Sequence, residues 1–213
     1  MNRRTLLAAA LSAPALAALA SPAFAQTYMT ILPKADQALV DQAAAYLQGL
    51  TTARGRFTQR SARGQMSTGT LYLNRPGKAR FEYDAPAALL VVADGRNVSV
   101  FDSRLKSFNR YPLGATPLAL FLSRRVRLDG EVMVTKVSRQ EDGFSLTVKD
   151  SRKQSDGSLT MDFASSPIGL RGWTVVDAQG QQTHVQLDAL SPVGSLEPAL
   201  FVLNDPAKAS SRP

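Results

Sequence analysis

His184 is the only imidazole in the chain, and there is no cysteine. Any Ser-His-Asp arrangement would have to use that one base. It shares strand parity with Gln186 and Asp188, opposite Val185, Leu187 and Ala189, so it is expected to point to solvent. The absence of thiols excludes thiol nucleophiles, disulfide frameworks, thiolate zinc, iron–sulfur ligation and a lipid anchor on cysteine. No G-x-S-x-G elbow, P-loop, G-x-G-x-x-G loop, H-E-x-x-H pair or EF-hand loop occurs. Two carboxylates can meet from distant strands without a local motif. Here 13 of the 17 acids are Asp, many of them in turn dipeptides or on polar strand faces, which solvation explains. No catalytic group, metal site or cofactor is read from these residues.

Basic clusters are the other candidates for chemistry: Arg54, Arg56, Arg60 and Arg63; Arg124, Arg125 and Arg127; and Lys149, Arg152 and Lys153. Nucleic-acid binding would interleave aromatics with such charges, whereas the aromatics here alternate away from them, toward the apolar face. No nucleic-acid partner is expected. Solvated faces are the plain account, with anionic headgroups or an acidic partner patch as the alternative.

The elements that would position these residues follow from pattern. The chain has 213 residues, a formal net charge of +8 and 44% hydrophobic residues, enough for one domain with a real core. Asn2, Arg3 and Arg4 precede an apolar stretch from Leu6 to Ala20, and Ala23-Phe24-Ala25 offers a small-x-small cleavage site. Residues 1–25 are therefore expected to be a cleaved signal peptide, with Arg3-Arg4 also compatible with twin-arginine export. The remaining domain, 26–207, should work outside the cytoplasm, and 208–213 should form a frayed tail.

From Lys34 to Leu50 the apolar residues Val40, Ala43, Leu47 and Leu50 recur at helical spacing, widened by Leu39 and Tyr46. The period then changes to two. Leu71 and Leu73, then Ala79, Phe81 and Tyr83, then Phe144, Leu146 and Val148, then Leu159, Met161 and Phe163 alternate with polar residues, as half-buried antiparallel strands do. Further strand-like runs are Arg56–Arg63, Leu89–Ala93, Asn97–Asp102, Val132–Arg139, Gly172–Asp177 and Thr183–Leu190, separated by turn pairs such as Asp94-Gly95 and Asp142-Gly143. Thr116-Pro117 ahead of Leu118–Leu122 reads as a short helix apolar on every side, which must be covered on several sides. Pro198–Leu203 is a second short apolar piece. These patterns predict an α+β, mainly β domain: a strongly curved antiparallel sheet forming an unclosed barrel, with a helical lid on its concave side. Its inner face would carry Leu71, Leu73, Phe81, Tyr83, Val91, Val98, Val100, Leu146, Met161 and Trp173. Such a face either packs solid, which periodicity favours, or leaves a dry cavity.

Phe57-Thr58-Gln59, Gly69-Thr70-Leu71-Tyr72-Leu73-Asn74-Arg75-Pro76, Arg80-Phe81-Glu82-Tyr83 with Pro86, Leu90-Val91-Val92-Ala93-Asp94-Gly95 and Thr116-Pro117 follow one another in order. Together with Leu196-Glu197-Pro198-Ala199-Leu200-Phe201 and Asn204-Asp205-Pro206, this series resembles the periplasmic outer-membrane lipoprotein carrier family, LolA. The resemblance implies an unclosed barrel with a helical lid and a carrier without enzymatic activity. Its partners would be acylated lipoproteins, an ATP-driven extractor in the inner membrane, and an acceptor at the outer membrane or that membrane itself. It implies a monomer in the periplasm. Arg75 would be the lid arginine, donating to backbone carbonyls at Leu47, Phe121 and Leu122, and an unfilled apolar cavity would lie beneath. The chain departs from the family in having Phe81, Val98 and Ser99 where tryptophans are common, with Trp173 its only Trp. Lacking cysteine, it is not the lipid-anchored acceptor of similar fold. Two other readings stand beside the carrier: a regulatory sensor on the same half-barrel, and a hydrolase with carboxylates converging in the cleft.

Overall fold

The computed structural model describes residues 32–123, 132–150 and 157–206. The expected signal peptide and tail, and Arg124, Arg125, Arg127, Arg152 and Lys153, lie outside the described residues.

Helix α1 (Lys34–Gly49) buries Val40, Ala43 and Leu47, one stripe at helical spacing, and leaves its acidic and amide side chains outward. Six strands follow: β1 (Thr52–Arg60), β2 (Met66–Asn74), β3 (Lys78–Tyr83), β4 (Leu89–Asp94), β5 (Asn97–Asp102) and β6 (Ser107–Pro112). A 3-10 turn at Leu113–Ala115 leads into α2 (Leu118–Leu122). The second half contains β7 (Val132–Gln140), β8 (Gly143–Asp150), β9 (Ser158–Ser165), β10 (Ile168–Val176) and β11 (Gln182–Pro192). All eleven join one antiparallel sheet in the order β6-β5-β4-β3-β2-β1-β11-β10-β9-β8-β7, whose end strands do not pair.

Ring contacts show that the sheet curls. Strands β3 and β10 stand four places apart in the sheet, about 19 Å if it were flat. Yet the rings of Phe81 on β3 and Trp173 on β10 have centroids 6.2 Å apart. The sheet must therefore bend toward the face that carries both, and α1 and α2 cover that concave face. Tyr46 of α1 meets Phe163 of β9 edge to face at 6.1 Å, and Asp36 is paired with Arg139 of β7 at 2.6 Å.

Three boundaries differ from the sequence pattern, each for a local reason. The strand expected from Arg56 to Arg63 starts at Thr52 and stops at Arg60, because Ser61 and Gly64, with φ of 78°, close a hydrogen-bonded turn. Strand β10 begins at Ile168, four residues before the expected Gly172, since a bulge between Leu170 and Gly172 breaks the period of two. The unanticipated β6 is an edge strand with largely exposed side chains and therefore has no alternation to read.

The short apolar piece near the end forms a 3-10 turn, Pro198–Phe201, on the outer face against β3 and β4. Arg80 donates to the Leu200 carbonyl (2.9 Å) and Arg110 to that of Leu203 (3.1 Å). This strap explains why Val92 and Ser99, on the outward parity of β4 and β5, are buried.

Gly69 on β2 marks a tight spot, because a Cβ there would lie 2.3 Å from the Glu82 carbonyl oxygen and 2.6 Å from the Phe57 ring. Gly69→Ala is expected to destabilise the fold by about 1–3 kcal/mol through overpacking. A urea denaturation midpoint equal to that of the parent protein would show that the sheet relaxes around the methyl group.

Candidate functional site

Arg75 sits in the turn between β2 and β3 and is only 8% exposed. Its backbone N–H bonds the Thr51 carbonyl (2.8 Å), fixing the side chain under the ends of both helices. Nη1 donates to the carbonyls of Leu47 and Leu50 (3.2 Å for Leu50), and Nη2 to that of Ser123 (2.9 Å). The last carbonyls of a helix have no partner within it, and their partial negative charge favours a cation. Helix α1 has no basic residue in its last turn, so Arg75 supplies that charge from the sheet. One guanidinium thus ties α1 to the end of α2. Burial lowers its pKa from the ordinary arginine value, and its Nε is buried without a hydrogen-bond partner. The latch is therefore incompletely satisfied.

Helix α2 has five residues, too few to be stable alone. It is held by Arg75 at Ser123, by the Gly77 N–H donating to the Leu122 carbonyl (2.8 Å), and by Phe121. The Phe121 ring is stacked on Trp173 (5.5 Å, 27°), and the Arg75 guanidinium carbon lies 5.9 Å from its centroid. Beneath it the concave face is continuous: Leu71, Leu73, Phe81, Leu146, Met161 and Trp173 are buried with Leu47, Phe121 and Leu122 in one apolar cluster. Tyr83, Val91 and Val100 pack against the same cluster half-buried, where the lid covers less. All thirteen candidate residues lie at this one site.

Three acids on or beside the strands face the other way. Glu82 bonds Arg80, Asp84 bonds Arg56 and Thr68, and Asp162 accepts from Ser145, all on outward parity. Hydrogen bonds from Arg56 and Thr68 hold the Asp84 carboxyl below the usual carboxylate range. His184 is also on the outer face, as its strand parity predicts, and is half-buried with the Thr174 hydroxyl of the neighbouring strand 2.9 Å from its Nδ1. Among the described residues no group of three His, Asp or Glu side chains could hold a metal ion, and no helix is long and apolar enough to cross a membrane.

Residues 48–204 match the family model described as Outer membrane lipoprotein carrier protein LolA. The chain belongs to the LolA family. An outer-membrane lipoprotein carrier protein of Methylibium petroleiphilum is 28% identical over 184 residues, covering 80% of this chain and 87% of that one. Another from Xanthomonas campestris is 32% identical over 150 residues, covering 66% and 71%. A LolA superfamily protein from Nitrosomonas europaea superposes with a TM-score of 0.46 at 12% identity, over 79% of this chain and 97% of that one.

One detail of the LolA resemblance is corrected by the geometry. Of the three carbonyls assigned to Arg75, only that of Leu47 accepts from it; the others are Leu50 and Ser123. The Leu122 carbonyl is occupied by Gly77, and Phe121 offers the guanidinium its ring. The gap lined by Pro117, Leu118, Phe121, Leu159, Met161, Trp173 and Val175 has a volume of about 10 Å³, room for at most one water. A site for a sizeable ligand needs roughly 300 Å³ or more, so this gap by itself does not hold one.

Phe57 and Gln59 belong to the site although neither was among the expected lining residues. Phe57 is buried edge to face against Phe81 (5.7 Å) and Tyr83 (5.1 Å), and the Tyr83 hydroxyl donates to Gln59 Oε1 (2.7 Å). The alternation Arg56-Phe57-Thr58 in β1 was the available signal. Burial pushes the Tyr83 phenol up to about 12. Because the folded value lies above the unfolded one, near 10, the folded protein holds this proton more tightly. Its contribution to stability is complete below about pH 10 and is lost as pH rises toward 12. Phenolate absorbance should show a late step near pH 12 that Tyr83→Phe lacks. A titration unchanged by that substitution would contradict the burial.

Proposed function

We propose that this chain is a periplasmic carrier that sheathes the acyl chains of lipid-modified proteins and moves them from the inner to the outer membrane. The observation that carries this reading is the Arg75 latch, which holds a short apolar helix over an apolar sheet face that α1 and α2 cover together. An acyl chain in water costs about 0.8 kcal/mol per methylene, so cargo would not cross an aqueous space unshielded at a useful rate. Displacement of α2 would exchange Phe121 for hydrocarbon against Trp173 and Phe81. No covalent step is required, and the role is not enzymatic. Loading would come from an ATP-driven extractor in the inner membrane, and unloading would go to an outer-membrane acceptor or to the membrane itself.

Re-closing supplies the release step. Carrier and cargo compete for the same concave face, so the free energy of latch and plug is subtracted from cargo affinity. Native mass spectrometry of the protein purified from envelope extracts tests the proposal. Bound acylated protein in a one-to-one complex is the expected result; a cargo-free protein in stable complex with a membrane signalling protein would replace the carrier with a sensor.

A further inference from the structure

The strands alternate in direction, so the β1–β2, β3–β4 and β5–β6 hairpin tips all emerge at the end of the sheet opposite the Arg75 latch. Met66, Leu105 and Met133 stand at this end, and they are three of the five large apolar side chains that are well exposed among the described residues. Leu105, 68% exposed, projects between the exposed Arg104 and Lys106 at the β5–β6 tip. Met66, 56% exposed, follows Arg60 and Arg63 at the β1–β2 tip. Between them, Ala85 and Pro86 are exposed at the β3–β4 tip.

The charges at these tips are unequally engaged. Asp84 is bonded to Arg56 and Thr68, and Asp102 accepts the backbone N–H groups of Arg104 and Leu105 (2.9 Å each). Arg60, Arg63, Arg104 and Lys106 form no ion pair among the described residues and face solvent. The tips are also held in shape. Ser103 donates through both its N–H and its Oγ to the Ala88 carbonyl (3.1 Å each), tying two hairpins together. The non-glycine residues with positive φ, Ala88 (49°) and Lys106 (52°), both occur in these two loops. Such backbone costs free energy and is retained where a fixed presentation matters.

We infer that this rim is a membrane-docking surface, in which Leu105 and Met66 enter the interface of an anionic phospholipid bilayer while Arg60, Arg63, Arg104 and Lys106 meet its headgroups. Isolated exposed apolar side chains are ordinary, but apolar tips flanked by unpaired cations match an interface that is apolar just beneath a negative surface. The rim leaves the latch end free for a protein partner. The inference rests on the carrier reading for its purpose, not for its test.

Cargo-free protein is sedimented with vesicles of phosphatidylglycerol and phosphatidylethanolamine, and with vesicles of phosphatidylcholine alone, at low and high salt. Binding is expected only to the anionic vesicles and should weaken as salt rises. The double substitution R104A/K106A removes two cations, each worth about 1 kcal/mol near such a surface, and should lower partitioning about thirtyfold. Leu105→Glu should lower it at least as much. Equal binding to both vesicle types, or variants that partition like the parent, would overturn the proposal. So would capture only by membranes that contain envelope proteins, which would indicate a protein partner. Quenching of Trp173 by a brominated fatty acid, measured in parallel, should be the same in parent and rim variants. Loss of that quenching in the parent would count against the carrier and leave the vesicle result to stand alone.

Discussion

Arg75→Leu is expected to bind acylated cargo more tightly than the parent and to release it more slowly. The guanidinium makes hydrogen bonds to the carbonyls of Leu47, Leu50 and Ser123. Hydrogen bonds from a charged donor are worth about 1.5–3 kcal/mol each, but the cation is desolvated and its Nε has no partner, so most of that gain is offset. A net latch of about 2 kcal/mol is a reasonable scale, and removing it raises apparent cargo affinity by about thirtyfold. Leucine keeps the stem apolar and donates nothing, so α2 is held only by Gly77 and the Phe121 stack, without a new buried charge. Loading is then undiminished, while the restoring force that expels hydrocarbon is gone. Titration with a fluorescent acyl probe, read through Trp173, measures the affinity; a transfer assay to acceptor membranes measures the release. Unchanged affinity together with unchanged delivery would remove Arg75 from the mechanism.

Phe121→Ala should be the more damaging substitution for stability and should open the interior. The ring is 4% exposed and touches both Trp173 and the Arg75 guanidinium, and its loss leaves a hole among the apolar side chains of the cluster. Truncating a buried Phe costs about 3–5 kcal/mol, with the lower end appropriate here because a five-residue helix can partly collapse into the space. For a domain of this size a loss of about 3 kcal/mol lowers the melting temperature by roughly 6–12 °C. Uptake of an apolar dye should increase, because the plug no longer competes for the face. A melting temperature within about 2 °C of the parent, which corresponds to less than about 1 kcal/mol, would mean that α2 fills nothing that matters. The pairing of lower stability with better apolar binding separates this outcome from simple misfolding.

Much of this arrangement was legible from the chain. The spacing of Val40, Ala43 and Leu47 placed α1, and the alternation through Leu71, Leu73, Ala79 and Phe81 assigned the inner face correctly, because each of those side chains ends in one apolar cluster. Periodicity could not give volume: it could not say that Phe121 stacks on Trp173 or that the gap they line measures only about 10 Å³. It was also silent where side chains are largely exposed and do not alternate, as in β6, and it faltered at the bulge before Gly172. The latch was legible only in part. An arginine after a strand is visible in sequence, but which carbonyls it reaches depends on how far α2 runs, and a one-residue difference moves the contact from Leu122 to Ser123.

The neighbour relation between β1 and β11 has a consequence for how the protein is made. Ala53 pairs with Pro192 and Arg60 with His184, so the middle of the sheet is stitched from the first strand and the last. As the chain emerges from its N-terminus, β1 to β6 can zip as successive hairpins, but β1 keeps a raw edge until residue 192 has arrived. Pairing over so long a separation is slow, and an open apolar edge invites aggregation in the interval. Clipping the chain before β11 would therefore split the molecule down its central seam into two hairpin stacks, each with an unprotected border.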